Sequence, residues 1–163
     1  MATDTPQHSQ QWHSATELPQ HVFATLRQFD RIANPIVVVA TVDPDGSPRT
    51  APFGSLRAIT PRVMRFACDR RHTTFANLIR DGRVTFALLA PANIAVSIRG
   101  RARVVKEQMS VAHTDAIVEI AVEEVKNNAI SGVEYAIQSG VTVAYPGPVA
   151  ELVERYIAEV EEA

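Results

Sequence analysis

The residues best suited to chemistry lie in the stretch 62–90, where two arginines and two hydroxyls surround the expected start of a helix. Arg70 and Arg71 lie within five residues of Thr73 and Thr74. A helix start offers unpaired N–H groups and a positive dipole end, and arginine binds phosphate through charge-assisted hydrogen bonds. This spacing favours an anion site, above all for a phosphate. A solvated loop whose threonines merely cap the helix explains the same residues equally well.

Two other residues of this stretch, His72 and Cys68, have alternative roles. His72 could donate to a phosphate, ligate a haem iron or occupy an exposed loop, which is the commonest setting for a lone histidine. Cys68 is the only cysteine, which excludes an internal disulfide and a thiolate metal cluster. Nothing places a base beside it, so we expect a small buried residue rather than a nucleophile. We identify no catalytic triad, no persuasive carboxylate pair and no metal site.

The elements that must position these residues are a strand, a short helix and a second strand. An apolar run ends at Cys68, and apolar residues recur at spacings of three and four from Phe75 to Ile79. Gly82 stops the helix, and residues 84–89 form a second buried-strand candidate. The basic loop is therefore expected at the end of a strand and the start of a helix.

The rest of the chain alternates between extended and helical patterns. Further strands are predicted at residues 36–42, 47–57, 94–105 and 132–145, and helices at 16–30, at 108–127 and from Pro148 onward. Of these, residues 108–127 carry the strongest helical periodicity. Residues 43–46 (DPDG) form a turn that joins the first two strands into a hairpin. Pro and Gly within 47–57 favour an irregular or edge strand that a ligand or another backbone approaches closely, and Gly100 predicts a bend or bulge.

These elements predict a mainly β fold with flanking helices. Six short extended segments connected by turns favour a six-stranded antiparallel barrel, closed or partly open, over a doubly wound sheet. Residues 1–15 are predicted to be a disordered lead-in and residues 16–163 a single domain.

Composition and charge limit the possible functions. The chain has 163 residues, 46% of them hydrophobic, and a net charge of −2, so neither a second core nor a nucleic-acid partner is indicated. Between residues 49 and 103 there are eleven arginines but only two carboxylates, Asp69 and Asp81, and the end of the chain is acidic. This distribution suits an anionic ligand in the middle of the chain. Without a signal sequence or an apolar membrane span, we expect a soluble cytoplasmic protein.

The order of motifs over residues 36–105 resembles that of the FMN-binding split-barrel proteins, the pyridoxamine 5′-phosphate oxidase-like group. An apolar strand (VVVATV), a DPDGSP turn, a second strand (RTAPFGSL) and an aromatic-containing third strand occur in order. A basic loop, a short helix with an Asn-Leu pair and a valine-containing strand follow them. The resemblance implies an antiparallel split barrel of the FMN-binding type. It also implies a homodimer with two FMN molecules in the groove between its subunits.

The resemblance also assigns cofactor-binding positions. The residues implied are Ala51, Pro52, Phe53, Gly54, Ser55, Leu56, Ala67, Cys68, Thr73, Thr74 and Ala95. The first six would line the flavin, the next two the ribityl chain and the two threonines the phosphate, with Ala95 at a further contact position. The oxidases of the group have Arg-Lys where this chain has the two threonines. We therefore expect Arg70 and Arg71, with His72 beside them, to supply the charge.

The implied activity is that of an FMN-dependent oxidoreductase that passes electrons from a reduced nicotinamide to a small acceptor. A bound cofactor would explain why no catalytic triad is found. Without a Gly-rich dinucleotide fingerprint, a nicotinamide would bind only transiently over the flavin. A non-enzymatic flavin or haem carrier or sensor is the alternative, and a deazaflavin in place of FMN stays open. The oxidases' C-terminal arginine-and-histidine motif has no counterpart in the ending YIAEVEEA, so efficient pyridoxamine 5′-phosphate oxidation is not expected.

Overall fold

The structure is a computed structural model that describes residues 12–28, 35–130 and 135–163. They form one antiparallel sheet and three helices. The strands are β1 (Ser14–Ala15), β2 (Val37–Val42), β3 (Pro48–Phe53), β4 (Arg57–Thr60), β5 (Val63–Asp69), β6 (Arg83–Ala90), β7 (Ile94–Lys106) and β8 (Asp115–Asn127). The helices are α1 (Gln20–Gln28), α2 (Thr73–Asp81) and α3 (Gly147–Glu162).

The sheet is curled so that its two end strands approach each other. Its order is β3-β2-β6-β7-β8-β5-β4, with β1 paired to β8, and every neighbouring pair is antiparallel. The end strands β3 and β4 are consecutive in the chain and are joined by residues 54–56 alone. Four residue steps span at most about 14 Å, so the ends lie close together without being adjacent in the sheet. The mainly β fold, an antiparallel split barrel with flanking helices, is confirmed.

Three aromatic rings connect strands across the barrel interior. Phe66 on β5 packs edge-to-face against Phe53 on β3 at 5.2 Å and against Phe86 on β6 at 5.6 Å, measured between ring centroids. Phe66 and Phe86 are fully buried, and edge-to-face geometry is a favoured arrangement for such pairs. The rings therefore tie the edge strand β3 to the core at the place where the sheet is open.

Several predicted features are found. The hairpin turn at 43–46 joins β2 to β3, α2 runs from Thr73 to Asp81, and α3 begins at Gly147. The predicted irregularity at Gly100 is a shift in the β7–β8 register between Arg99 and Gly100. A Cβ atom at Gly100 would lie 2.4 Å from the backbone oxygen of Ala121. The close approach of β8 thus requires glycine at this position.

The predicted helix at 108–127 is wrong, because residues 115–127 form the strand β8. β8 lies in the middle of the sheet, between β7 and β5, and its residues 116–120 are buried without interruption. A strand covered on both faces loses the alternation that identifies strands in a sequence. Its valines and isoleucines then happen to match a helical spacing, while their branched side chains favour a strand.

The predicted strands differ from those observed in three further places. The segment 47–57 is divided between β3 and β4, at opposite ends of the sheet. With β1 and β8 added, the described residues contain eight strands rather than six. The predicted strand at 132–145 is irregular from residue 135 onward, apart from an isolated bridge between Pro35 and Thr142, and residues 131–134 lie outside the described residues.

The N-terminal predictions are only partly covered by the described residues. α1 begins at Gln20, later than predicted, and residues 29–30 of the predicted helix lie outside the description. Residues 1–11 of the predicted lead-in are also outside it, whereas Ser14–Ala15 pairs with β8. Among the helices α1, α2 and α3, none is long and apolar enough to cross a membrane.

Candidate functional site

Several of the residues assigned by resemblance meet where the sheet is split. The ring of Phe53 contacts that of His72 at 5.9 Å between centroids. The hydroxyl oxygen of Ser55 accepts the N–H of Ala67 at 3.0 Å and also donates to the Ala67 carbonyl at 3.3 Å. The crossing from β3 to β4, the end of β5 and the loop before α2 therefore form one connected surface.

The strand β3 offers backbone groups to a ligand because it lies at an edge of the sheet. Hydrogen-bonding groups on the outer side of an edge strand are not used by a neighbouring strand. Pro52 is exposed and Gly54 half-buried, whereas Ala51, Ser55 and Leu56 are buried. A planar ligand would thus meet the edge of β3 around Pro52 and Gly54, with the buried residues shaping the backbone beneath it.

Arg70 is oriented by the loop between β7 and β8. Its Nη2 donates to the carbonyl of His113 at 2.8 Å, and its Nε to that of Thr114 at 3.3 Å. Its backbone N–H also donates to Thr114, at 3.0 Å. A guanidinium carries five N–H donors, and these side-chain contacts engage two of them. Arg70 is exposed, so the rest of its fork can bind an anion.

Arg71 differs from Arg70 because a carboxylate already binds it. Its Nη2 and Nε lie 2.6 and 3.0 Å from the Asp69 carboxylate oxygens, and its backbone N–H donates to Asp69 at 2.8 Å. Hydrogen bonds from the Arg71 side chain and backbone lower the pKa of Asp69 to about 2. Asp69 is therefore charged at neutral pH and competes with any bound phosphate for Arg71. The signal for this ion pair in the sequence is the Asp-x-Arg spacing of residues 69–71.

The start of α2 offers fewer free N–H groups than the sequence predicts. The N-cap is His72 rather than a threonine, and its Nδ1 accepts the N–H of Thr74 at 3.2 Å. The N–H of Phe75 is directed to Cys68. Thr74 is buried, while Thr73 and His72 are exposed. Thr73 is therefore the threonine available to a phosphate, alongside the arginines.

Cys68 and Ala95 are both buried but lie in different surroundings. Burial, followed by the charges of Asp115 and Asp69, raises the pKa of the Cys68 thiol to about 12. Cys68 therefore stays protonated and packs in the main core. Ala95, at the start of β7, is separated from β3 by β2 and β6 in the sheet order.

A buried asparagine that the sequence analysis missed fixes the position of α2. The Nδ2 of Asn77 donates to Thr41 at 3.1 Å and to Asp43 at 2.8 Å, and Arg80 donates to its Oδ1 at 2.9 Å. Asn77 is only 2% exposed. Buried polar groups need such partners. The apolar spacing offers no signal for this residue, because Asn77 lies on the opposite side of the helix from Phe75 and Ile79. These bonds tie α2 to β2 and to the turn that leads into β3.

A small cavity lies elsewhere, beneath α2. Its volume is about 130 Å³, and it is lined by Leu78, Ile79, Ala102, Arg103, Val104 and Val118. None of these is an expected cofactor-binding residue, and cofactor pockets usually measure roughly 300–1,000 Å³. The open surface at β3 and Arg70 has the chemistry expected for a flavin phosphate and ring system, whereas this cavity is too small for them.

The curled antiparallel sheet and its open edge place the protein in the class of split-barrel proteins. The sequence model of one family, pyridoxamine 5′-phosphate oxidase, matches residues 23–138. The chain belongs to this pyridoxamine 5′-phosphate oxidase family. The match begins inside α1, covers β2 to β8 and α2, and ends before α3.

Solved structures share the fold at low sequence identity. A Lactobacillus delbrueckii protein described as a pyridoxamine 5′-phosphate oxidase has a TM-score of 0.56 and 22% identity, covering 70% of this chain and 98% of its own. An F420 reductase has a TM-score of 0.55 and 14% identity, and the match covers 68% of this chain and 100% of the reductase. The styrene monooxygenase flavin reductase of Pseudomonas putida S12 has a TM-score of 0.51 and 13% identity, and the match covers 65% of this chain and 85% of the reductase. No curated protein sequence matches the chain.

Proposed function

We propose that this protein is an FMN-binding oxidoreductase that passes electrons from a reduced nicotinamide to a small acceptor. The observation that carries the proposal is the surface at the split. There, Phe53 of the edge strand β3 contacts the ring of His72, which lies two residues after Arg70. The Arg70 guanidinium has N–H donors beyond the two that bind His113 and Thr114. Family membership supports it, and so do two structural neighbours, an F420 reductase and a flavin reductase.

The residues at the split divide the tasks of binding. Arg70 and Thr73 would hold the phosphate, with Arg71 contributing when it is released from Asp69. The backbone and side chains of residues 51–56 would line the flavin, and Ala67 and Cys68 the ribityl chain. The bound flavin supplies the redox chemistry. The chain orients it, and the protonated, buried Cys68 adds no nucleophile of its own.

The proposal includes a homodimer, for which the outer face of the sheet offers a surface. Pro52, Val38 and Ala87 form an exposed row across β3, β2 and β6, with Val38 43% exposed. Leu89, 61% exposed, lies beside this row and pairs with Ala95. Contiguous exposed apolar residues mark interaction surfaces. Because two strands separate Ala95 from β3, Ala95 would meet a flavin there across a subunit boundary.

The oxidoreductase role is tested by mixing FMN-loaded protein with NADH or NADPH in the absence of oxygen. We expect one of the two nucleotides to bleach the flavin absorbance, at a rate on the order of 1 s⁻¹ or faster. Free FMN at the same concentration is the control and should react far more slowly. If neither nucleotide reduces the bound flavin, the protein binds flavin but is not a nicotinamide-dependent oxidoreductase.

The proposal does not extend to pyridoxamine 5′-phosphate oxidation. A second phosphorylated ring would need its own set of converging donors. The carboxylates near the end of the chain are engaged structurally, because Glu159 pairs with Lys106 and Glu161 with Arg57. We expect the same FMN-loaded protein to form no appreciable pyridoxal 5′-phosphate from the amine or the alcohol.

A further inference from the structure

The loop between β7 and β8, residues 107–114, is fixed by a carboxylate of α3. Glu159 accepts the backbone N–H groups of Ser110 at 2.6 Å and Val111 at 3.0 Å, and the Nζ of Lys106 lies 2.7 Å from it. Burial raises the pKa of Glu159, but the hydrogen bonds from Lys106, Ser110 and Val111 outweigh it and lower the pKa to about 2. The carboxylate is thus charged, and it binds the loop through strong, charge-assisted hydrogen bonds.

The same loop orients the arginine assigned to the phosphate. The carbonyls of His113 and Thr114 accept the side chain of Arg70. The hydroxyl of Tyr156, one turn before Glu159 on α3, donates to Asp115, the residue that follows Thr114. Helix α3 therefore holds this loop at its middle, through Ser110 and Val111, and just beyond its end, through Asp115. The carbonyls that bind Arg70 lie between these two attachments.

The apolar face of α3 reaches the other half of the site. Val160 packs in a buried cluster with Met109, Ile117 and Ala67. Ala67 is the residue whose backbone N–H and carbonyl bond Ser55. The helix thus supports the backbone beside the expected ribityl position as well as the loop that positions Arg70.

We propose that α3 is a positioning element for the cofactor site, and that Glu159 and Tyr156 are positioning residues acting through the 107–114 loop on Arg70. Neither residue touches the cofactor. The helix lies beyond residues 23–138, the part of the chain that matches the family model. The helix that positions Arg70 therefore lies outside the part of the chain that matches the family model. The inference rests on the proposed function, because it assigns a role toward a bound flavin phosphate.

The test compares the affinities for FMN and for riboflavin, which lacks the phosphate, in Glu159→Gln and Tyr156→Phe. Each variant keeps the shape of the side chain but weakens its hold on the loop. We expect FMN affinity to fall roughly five- to tenfold, a typical size for coupling between sites, and riboflavin affinity to stay nearly constant. Glu154→Gln, at an exposed position of the same helix, is the matched control and should change neither affinity.

Amide hydrogen exchange supplies a readout independent of flavin binding. In Glu159→Gln we expect faster exchange confined to residues 107–114 and 70–72, with β2, β6 and β7 unchanged. Faster exchange throughout the barrel would show a general loss of stability and overturn the positioning role. If Glu159→Gln does not fold, the ratio of the FMN affinity to the riboflavin affinity in Tyr156→Phe decides whether α3 positions Arg70.

The possible failures can be told apart. If wild-type protein prefers FMN to riboflavin and both variants keep that preference in full, the positioning role is wrong while the proposed function stands. If the wild-type protein binds neither flavin, the proposed function fails and the inference fails with it.

Discussion

Replacing Arg70 by alanine should weaken FMN binding by about 10- to 150-fold and leave riboflavin binding almost unchanged. A hydrogen bond to a charged group contributes about 1.5–3 kcal/mol, which corresponds to that range of affinities. Arg70 is positioned by two carbonyls before any ligand binds, so little side-chain freedom remains to be lost on binding. The measurement is a fluorescence titration of each flavin with wild-type and variant protein.

Asp69→Asn is the informative counterpart, because it should change FMN affinity in the opposite direction. The substitution removes the charge that binds Arg71 but keeps an oxygen for the Arg71 backbone N–H. Releasing Arg71 and removing a nearby negative charge should tighten FMN binding about fivefold, equivalent to about 1 kcal/mol for a solvated charge pair. Equal losses of affinity for FMN and riboflavin in Arg70→Ala, or no gain of FMN affinity in Asp69→Asn, would show that Arg70 and Arg71 do not bind the phosphate.

Phe66→Ala should lower the free energy of unfolding by about 3–5 kcal/mol, the usual loss for deleting a buried phenyl ring. Phe66 is fully buried between Phe53 and Phe86, so its removal leaves a cavity and takes away the aromatic contact to the edge strand β3. Urea unfolding of the two proteins measures the difference. Ile79→Ala, at a position 61% exposed on α2, is the control and should change stability by no more than about 0.5 kcal/mol.

Phe66→Ala also distinguishes residues that support the flavin ring system from residues that bind the phosphate. Phe66 contacts β3 through Phe53 and lies outside the loop 70–72 that carries the two arginines. Its loss should therefore weaken the binding of FMN and of riboflavin equally. If the variant unfolds, Phe66→Leu retains much of the packing and permits the comparison. A stability loss below about 1 kcal/mol in Phe66→Ala would contradict the role assigned to the aromatic contacts.

The parts of the fold predicted from sequence are those with local signals. The limits of α2 follow from its apolar spacing and from Gly82, which adopts a positive φ of 75° where the helix ends. The β2–β3 hairpin follows from the turn at 43–46. β8 has no such local signal, because burial on both faces removes its alternation. The division of 47–57 between β3 and β4 depends on barrel closure, which involves strands far apart in the sequence.

The loop 70–72 shows the same limit at the level of single residues. The sequence identifies Arg70 and Arg71 as a pair, and nothing local distinguishes their roles. The structure separates them, because Arg70 is bound by carbonyls more than forty residues further along the chain, whereas Arg71 is bound by Asp69 two residues before it. Hydroxyls commonly cap helices, so the sequence favours a threonine as the cap of α2. In the structure the neighbouring His72 accepts the hydrogen bond instead.

Titrating the purified protein with FMN and measuring its mass by sedimentation shows whether two subunits share an FMN site. We expect a dimer that binds one FMN per chain and binds FMN more tightly than riboflavin. A monomer that binds no FMN would contradict it.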